Sequence, residues 1–192
     1  ATPKKESNII SYVDAVQLKN EHMVKLPVIV YNRDSQSEVL IDAIDLRNKL
    51  EEIADAEYAK TGKYIRPIAL FQAQPKGKED ATTFEKLRDK LVDAGIPAEQ
   101  IAIRTADVNE LKNIDLMSPD CPIRYIITVN ALKEGWDCPF AYILASLANK
   151  TSQVDVEQIL GRILRLPHTS QHTQSALNMS YVLTSSNDFN NT

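Results

Sequence analysis

Residues that could bind phosphate are concentrated in the segment 153–167, which reads Q-V-D-V-E-Q-I-L-G-R-I-L-R-L-P. The apolar residues recur at helical spacing and proline cannot continue a helix, so the pattern predicts one helix that ends at Pro167. One face of this helix, an arc of about 100°, would carry Gln158, Gly161, Arg162 and Arg165. Guanidinium groups stay charged and match phosphate oxyanions. The alternative is a surface helix with two solvated arginines, and the pattern alone does not decide between them.

A second polar stretch, residues 130–139, reads N-A-L-K-E-G-W-D-C-P. Gly135 permits close approach of the backbone, and Asp137 could accept hydrogen bonds from sugar hydroxyls. Lys133 offers a phosphate contact. The alternative is a plain loop in which Asp137 caps a short turn and Trp136 fills a gap. Taken alone, this stretch favours the plain loop.

Apolar runs typical of strands alternate with helical patterns along the chain. Strands are predicted near 24–31, 65–74, 101–103, 123–129, 141–148 and 179–183, and helices near 35–60 and 84–91. This alternation predicts an α/β fold with a parallel sheet and right-handed crossovers. Ligands bind such sheets at the carboxyl ends of the strands. Polar candidates at those ends are Gln72, Gln74, Thr105, Thr128 and Asn130.

Length and composition are those of one globular domain with a substantial core. The 192 residues carry a net charge of −4, which argues against a wholly basic nucleic-acid binder but not against a local basic groove. No apolar run approaches the about 20 residues needed to span a bilayer. The start, A-T-P-K-K-E-S, lacks an initiator methionine, so we expect a fragment of a longer chain. We expect reduced thiols at Cys121 and Cys138, solvated loop positions for His168 and His172, and no metal site.

Together the two polar stretches resemble a known family. T-V-N-A-L-K-E-G-W-D-C-P followed by Q-I-L-G-R-I-L-R closely resembles motifs V and VI of superfamily-two helicases and translocases. The variant A-L-K-E-G-W-D-C-P-F-A-Y is most similar to the restriction (Res) subunits of type III restriction enzymes. Y-V-D-A-V-Q-L-K-N-E-H-M-V-K-L-P looks like the segment that joins the two motor lobes there. The resemblance is weak before residue 65 and strong over 124–183.

The resemblance implies the second RecA-like lobe of an ATP-driven DNA motor: a mostly parallel sheet flanked by helices in three layers. Residues 1–33 would be a connector or N-terminal extension, and residues 34–192 the lobe. Arg165 would match the arginine finger on the γ-phosphate, with Arg162 beside it. The remaining ATP-binding positions would be Gln158, Gly161, Gly135 and Asp137. The DNA groove would be lined by Gln72, Thr105, Thr128, Asn130 and Lys133.

The same resemblance implies the partners. ATP and Mg²⁺ would be bound mainly by a first RecA-like lobe of the same polypeptide, because these residues contain no G-x-x-x-x-G-K-[ST] and no acidic box. The isolated chain would therefore not hydrolyse ATP. DNA would be bound through its backbone, a modification methyltransferase subunit could accompany the enzyme, and the setting would be the cytoplasm of a bacterium or a phage-related system. The same lobe from a DNA-repair or phage helicase, and a non-catalytic RecA-like binding module, are the alternatives.

Overall fold

The computed structural model describes residues 8–10, 24–25, 27–74, 83–129, 138–147, 163 and 165–185. In these residues nine main elements follow one another: β1 Asn8–Ile10, β2 Val28–Asn32, α1 Gln36–Thr61, β3 Ile68–Gln72, α2 Phe84–Asp93, β4 Ile101–Ile103, β5 Tyr125–Thr128, β6 Ala141–Ser146 and β7 Ser180–Thr184. Short 3₁₀ helices lie at Ala98–Gln100, Pro167–Thr169 and Ser175–Asn178.

The seven strands of the described residues form one sheet in the order β1-β2-β7-β6-β3-β5-β4. In this spatial order the last six strands, β2-β7-β6-β3-β5-β4, pair in parallel with their neighbours. Strand β1 pairs antiparallel with β2. Strands β3, β5 and β6 are buried almost throughout, as expected of parallel strands covered on both faces. The predicted α/β architecture with a mostly parallel sheet is confirmed, and it is consistent with a RecA-like fold.

Helix α1 has well-defined ends. The hydroxyl of Ser35 accepts a hydrogen bond from the backbone N–H of Glu38 at 3.2 Å and caps the first turn. At the other end Gly62 has φ +73°, a left-handed conformation that glycine adopts without strain, and its N–H donates to the Tyr58 carbonyl at 2.8 Å. The predicted helix over 35–60 is therefore confirmed to within a residue at each end.

A charged network attaches α1 to the sheet. Arg47, only 3% exposed, donates to the Tyr125 hydroxyl and to the Pro67 carbonyl, both at 3.1 Å. Glu51 accepts from Arg47 at 2.5 Å and from Arg124 at 3.0 Å. Burial by itself raises the pKa of Glu51, but the hydrogen bonds and charges of the two arginines outweigh it and hold that pKa below its usual value. Because Tyr125 lies on the sheet face toward Arg47, α1 covers that face.

Residues 28–32 join the main sheet, although they lie within the range 1–33 that was predicted to be a connector or N-terminal extension. Strand β2 pairs with β7 over five residues, and Val28 and Val30 are buried. Pro27 lies directly before the strand, where its missing N–H removes no bond from the ladder. Strand β1 is thus at the edge of the sheet, and β2 is an interior strand.

The predicted helix over 153–167 falls mostly outside the described residues. Ile163 is helical and fully buried, in agreement with its predicted apolar side. The prediction that the helix continues to Pro167 is wrong, because Arg165 forms an isolated antiparallel β-bridge with Val24. Leu166 is extended (φ −67°, ψ 137°), and Pro167 begins a 3₁₀ turn. The proline ring disfavours helical geometry in the residue before it, so the helix ends earlier than the apolar spacing suggests.

Candidate functional site

The last residues of five neighbouring strands form a row of polar side chains. Thr184 is in register with Asn32 on one side and Ser146 on the other, and Gln72 is in register with Ser146 and Thr128. Side chains in register on parallel strands point to the same face of the sheet. We call these residues the carboxyl-edge row: Asn32, Thr184, Ser146, Gln72 and Thr128.

Gln72 and Asn32 are the two members of the row that are partly exposed, and the orientation of the Gln72 amide is set by a neighbour. The Ser146 hydroxyl donates to Gln72 Oε1 at 3.2 Å, which fixes the amide oxygen and leaves its NH₂ group as the donor side. Gln72 is partly exposed. Thr128, by contrast, is 2% exposed, and Ser146 and Thr184 are fully buried. A phosphate could therefore reach Gln72 in this conformation but not the buried hydroxyls.

The sequence identified two members of the row and missed three. Gln72 and Thr128 were predicted as strand-end residues, and the register places them side by side. Asn32, Ser146 and Thr184 were not singled out. Each follows an apolar strand run, V-I-V-Y, A-Y-I-L-A and S-Y-V-L, and this signal could have found them.

Thr105 lies just beyond β4 and closes a turn. Its hydroxyl accepts from the N–H of Val108 at 3.0 Å, and its own N–H donates to the Val108 carbonyl at 2.7 Å. Arg104 donates its guanidinium to the Thr105 carbonyl at 2.6 Å and its N–H to Ile127 at 2.8 Å. The turn is thereby attached to the end of β5, and the Thr105 hydroxyl proton remains a possible donor to a ligand.

Two glutamines meet at the carbonyl of Leu147, directly after β6. Gln36 Nε2 donates to it at 2.9 Å and Gln74 Nε2 at 3.0 Å, while the Leu147 N–H donates to the Gln72 carbonyl at 3.0 Å. Gln74, which the sequence proposed as a strand-end candidate, is only 6% exposed. Its observed contact is therefore with the chain's own backbone.

The proposed arginine finger lies at the other edge of the sheet. Arg165 is exposed, and its bridge partner Val24 precedes the amino end of β2. The adjacent Lys25 donates from Nζ to the carbonyls of Pro139 at 2.9 Å and Ala141 at 2.6 Å, at the amino end of β6. The structure thus brings Pro139, at the end of the stretch 130–139, and Arg165 to one segment, and separates both from the carboxyl-edge row.

Seven of the predicted site residues lie outside the described residues. Four of them follow β5 along the chain and three follow β6. These seven residues are Asn130, Lys133, Gly135, Asp137, Gln158, Gly161 and Arg162.

A buried ionisable pair lies where α1 ends. His172 is 5% exposed, so the prediction that it is a solvated loop residue is wrong, whereas His168 is exposed as predicted. Glu57 accepts from the Thr173 N–H at 2.8 Å and from its hydroxyl. Burial by itself raises the pKa of Glu57, but these bonds lower it overall, and burial lowers the pKa of His172. Loop polarity could not show that the loop folds back over α1.

Other features of the described residues restrict the chemistry. No group of three or more His, Cys, Asp or Glu side chains in the described ranges is placed to hold a metal ion. A groove of about 560 Å³ lies between α1 and the ends of β2 and β7. Its charged lining mixes Arg33 and Lys49 with Asp42, Asp45 and Glu52, which disfavours a polyanion there. Among the helices of the described residues, none is long and apolar enough to cross a membrane.

Comparison of the sequence with protein-family models and with curated proteins finds no match.

Proposed function

We propose that this chain is the C-terminal motor lobe of an ATP-dependent DNA helicase or translocase, of the kind found in the restriction subunit of type III restriction endonucleases. The observation that carries the proposal is that Lys25 contacts Pro139 while its neighbour Val24 bridges Arg165. Motif V and motif VI act on one nucleotide in that family, so their ends must lie near each other. The contacts with Val24 and Lys25 support this arrangement.

The chemistry of Arg165 would be electrostatic. An arginine that reaches ATP on a neighbouring lobe stabilises the charge that develops during phosphoryl transfer, an effect of roughly 10³–10⁵ in rate. Arg165 is exposed at the amino edge of the sheet, which leaves its side chain accessible to another domain. The bridge with Val24 fixes the backbone of Arg165, so the side chain would approach the ATP from a defined position.

DNA would be bound at the carboxyl edge, away from the nucleotide. Gln72 and Thr105 offer neutral donors there, and Arg104 lies between Thr105 and the end of β5. Neutral donors and arginines at strand ends suit the sugar–phosphate backbone more than base edges, so binding would tolerate changes in sequence. The first lobe would supply the rest of the groove, together with the phosphate-binding loop and the Mg²⁺ ligands.

The proposal is tested by the ATPase activity of the natural polypeptide that contains the chain, measured with and without duplex DNA. We expect DNA-stimulated turnover in the wild type and a loss of at least about 10³-fold in kcat for Arg165→Ala, with the KM for ATP changed much less. Unchanged DNA-stimulated turnover in Arg165→Ala would refute the role of the arginine.

Two controls separate the proposal from its alternatives. His168→Ala changes another exposed side chain of the same region and should leave turnover unchanged. The 192-residue chain alone should neither hydrolyse ATP nor bind it tightly. Arginine-dependent hydrolysis by the purified chain would show that it is complete as an ATPase, and absence of ATPase in the natural polypeptide would favour a binding module.

A further inference from the structure

Lys25 is a fully buried lysine with an unusual set of acceptors. Its Nζ donates to the carbonyls of Pro139 at 2.9 Å and Ala141 at 2.6 Å, and lies 4.6 Å from the centroid of the Tyr142 ring. A buried ammonium group costs free energy unless its donors are satisfied. Backbone carbonyls and an aromatic face both supply partial negative charge to a cation. The side chain is therefore held in one position by the turn that begins β6.

The backbone around Lys25 is also attached to the sheet, through Ser180. The hydroxyl of Ser180 donates to the Lys25 carbonyl at 3.1 Å, and the Ser180 N–H donates to the Pro27 carbonyl at 3.2 Å. Ser180 is the first residue of β7 and is fully buried. The lysine thus joins the connector to the amino ends of two central strands, β6 and β7.

This position also joins the two halves of the proposed nucleotide site. Pro139 comes two residues after Asp137 along the chain, and Val24, the neighbour of Lys25, bridges Arg165. A movement of Lys25 would therefore displace Pro139 and Arg165 together. In the proposed motor, residues 24–27 belong to the connector that joins this chain to the first lobe.

We infer that Lys25 is a positioning residue: it fixes the connector, the end of the motif V stretch and Arg165 in one arrangement, so that nucleotide chemistry follows the position of the connector. The inference rests on the proposed function and extends it to a residue outside both motifs. Methionine has a similar length and no donors, so Lys25→Met would keep the packing and release the two carbonyls. A misplacement of about 1 Å of catalytic groups can cost up to 10²-fold in rate.

The test compares steady-state ATPase of the natural polypeptide, with and without duplex DNA, for wild type, Lys25→Met, Arg47→Met and Arg165→Ala. Lys25→Met should lower the DNA-stimulated kcat about tenfold while the KM for ATP stays within about twofold, because positioning of the catalytic groups is lost and ATP binding by the first lobe is not. Arg47→Met is the matched control: it also removes a buried cation that donates to a backbone carbonyl, but where α1 contacts Pro67 and Tyr125, away from Lys25. It should retain the wild-type kcat and DNA stimulation.

Each other outcome has a defined meaning. If Lys25→Met keeps DNA-stimulated kcat within twofold of wild type while Arg165→Ala is inactive, the inference is overturned and the proposed function stands. An equal loss in Arg47→Met overturns it too, because the effect would then follow from stability. If Arg165→Ala is as active as wild type, the proposed function fails and the inference with it. If Lys25→Met does not fold, Ser180→Ala takes its place, because it removes the hydroxyl that donates to the Lys25 carbonyl. We expect Ser180→Ala to lower the DNA-stimulated kcat about threefold, and the same criteria apply.

Discussion

Glu57 and His172 face each other in the interior, with 3.7 Å between Glu57 Oε1 and His172 Nδ1. His172 Nε2 lies 3.0 Å from the Pro167 carbonyl, so Nε2 carries the proton of the neutral ring and Nδ1 has the lone pair. Within the part of the chain that the structure describes, Nδ1 has no hydrogen-bond partner. The end of α1 is thereby joined to the loop before β7 by a pair whose charge state depends on pH.

The first prediction is that folding stability falls as pH decreases below neutrality. Burial lowers the pKa of His172, against the opposing effects of the Pro167 carbonyl and Glu57. The unfolded chain then takes up the histidine proton at a higher pH than the folded chain does. The stability due to neutral His172 is fully present above about pH 6.5 and is lost as pH falls through the lowered folded pKa. Each unit of pKa depression corresponds to about 1.4 kcal/mol in the free energy of unfolding.

Urea unfolding of the 192-residue chain between pH 7.5 and 5 measures this effect. His172→Gln should flatten the pH dependence in that window, whereas His168→Gln, at an exposed histidine four residues away, should keep it. The pKa of Glu57 is also lowered, so its contribution is present above about pH 4.5 and is lost only below that value. Equal free energies of unfolding at pH 7.5 and pH 5 in the wild type would contradict the assignment.

The second prediction concerns Arg66, which is 1% exposed and organises the loop 114–123. Its guanidinium donates to the carbonyls of Ile123 at 2.7 Å, Ser118 at 2.9 Å and Leu116 at 2.5 Å. Arg66→Met would leave three carbonyls without this donor. We expect a loss of about 3 kcal/mol in the free energy of unfolding, since unsatisfied buried acceptors cost roughly 1–3 kcal/mol each and do not add fully.

Chemical denaturation of Arg66→Met measures the free energy of unfolding. Limited proteolysis shows which segment becomes accessible to cleavage. Cleavage should appear first within 114–123. Arg88→Met is the matched control, because Arg88 pairs with Glu110 on the surface and such pairs contribute at most about 1 kcal/mol. If the two variants lose the same stability, the loop does not depend on Arg66.

The sequence predicted a mostly parallel sheet and the approximate positions of six of its strands, but not the long-range contacts that shape the site. Apolar runs and caps act locally, which is why α1 was placed within a residue and Gln72 and Thr128 were found at strand ends. The bridge between Val24 and Arg165 joins residues 141 positions apart (165 − 24), and no local pattern encodes it. The burial of His172 likewise depends on how its loop folds over α1.

The third prediction is that Gln72 contributes to DNA affinity through a neutral hydrogen bond. Ser146 fixes the amide oxygen of Gln72, so the NH₂ group is the part that could donate to a phosphate oxygen. In the natural polypeptide, Gln72→Leu should weaken duplex binding about fivefold, which corresponds to one hydrogen bond of roughly 1 kcal/mol.

Salt dependence distinguishes this role from that of a charged contact. The slope of log K against log salt counts neutralised phosphates, so Gln72→Leu should lower affinity at every salt concentration and leave the slope unchanged. Gln171→Leu, at an exposed glutamine near the opposite edge of the sheet, should bind as the wild type does. If Gln72→Leu binds DNA with wild-type affinity, Gln72 does not contact the backbone. The proposed DNA contacts would then have to come from other side chains, such as Asn32, which is also a partly exposed member of the row.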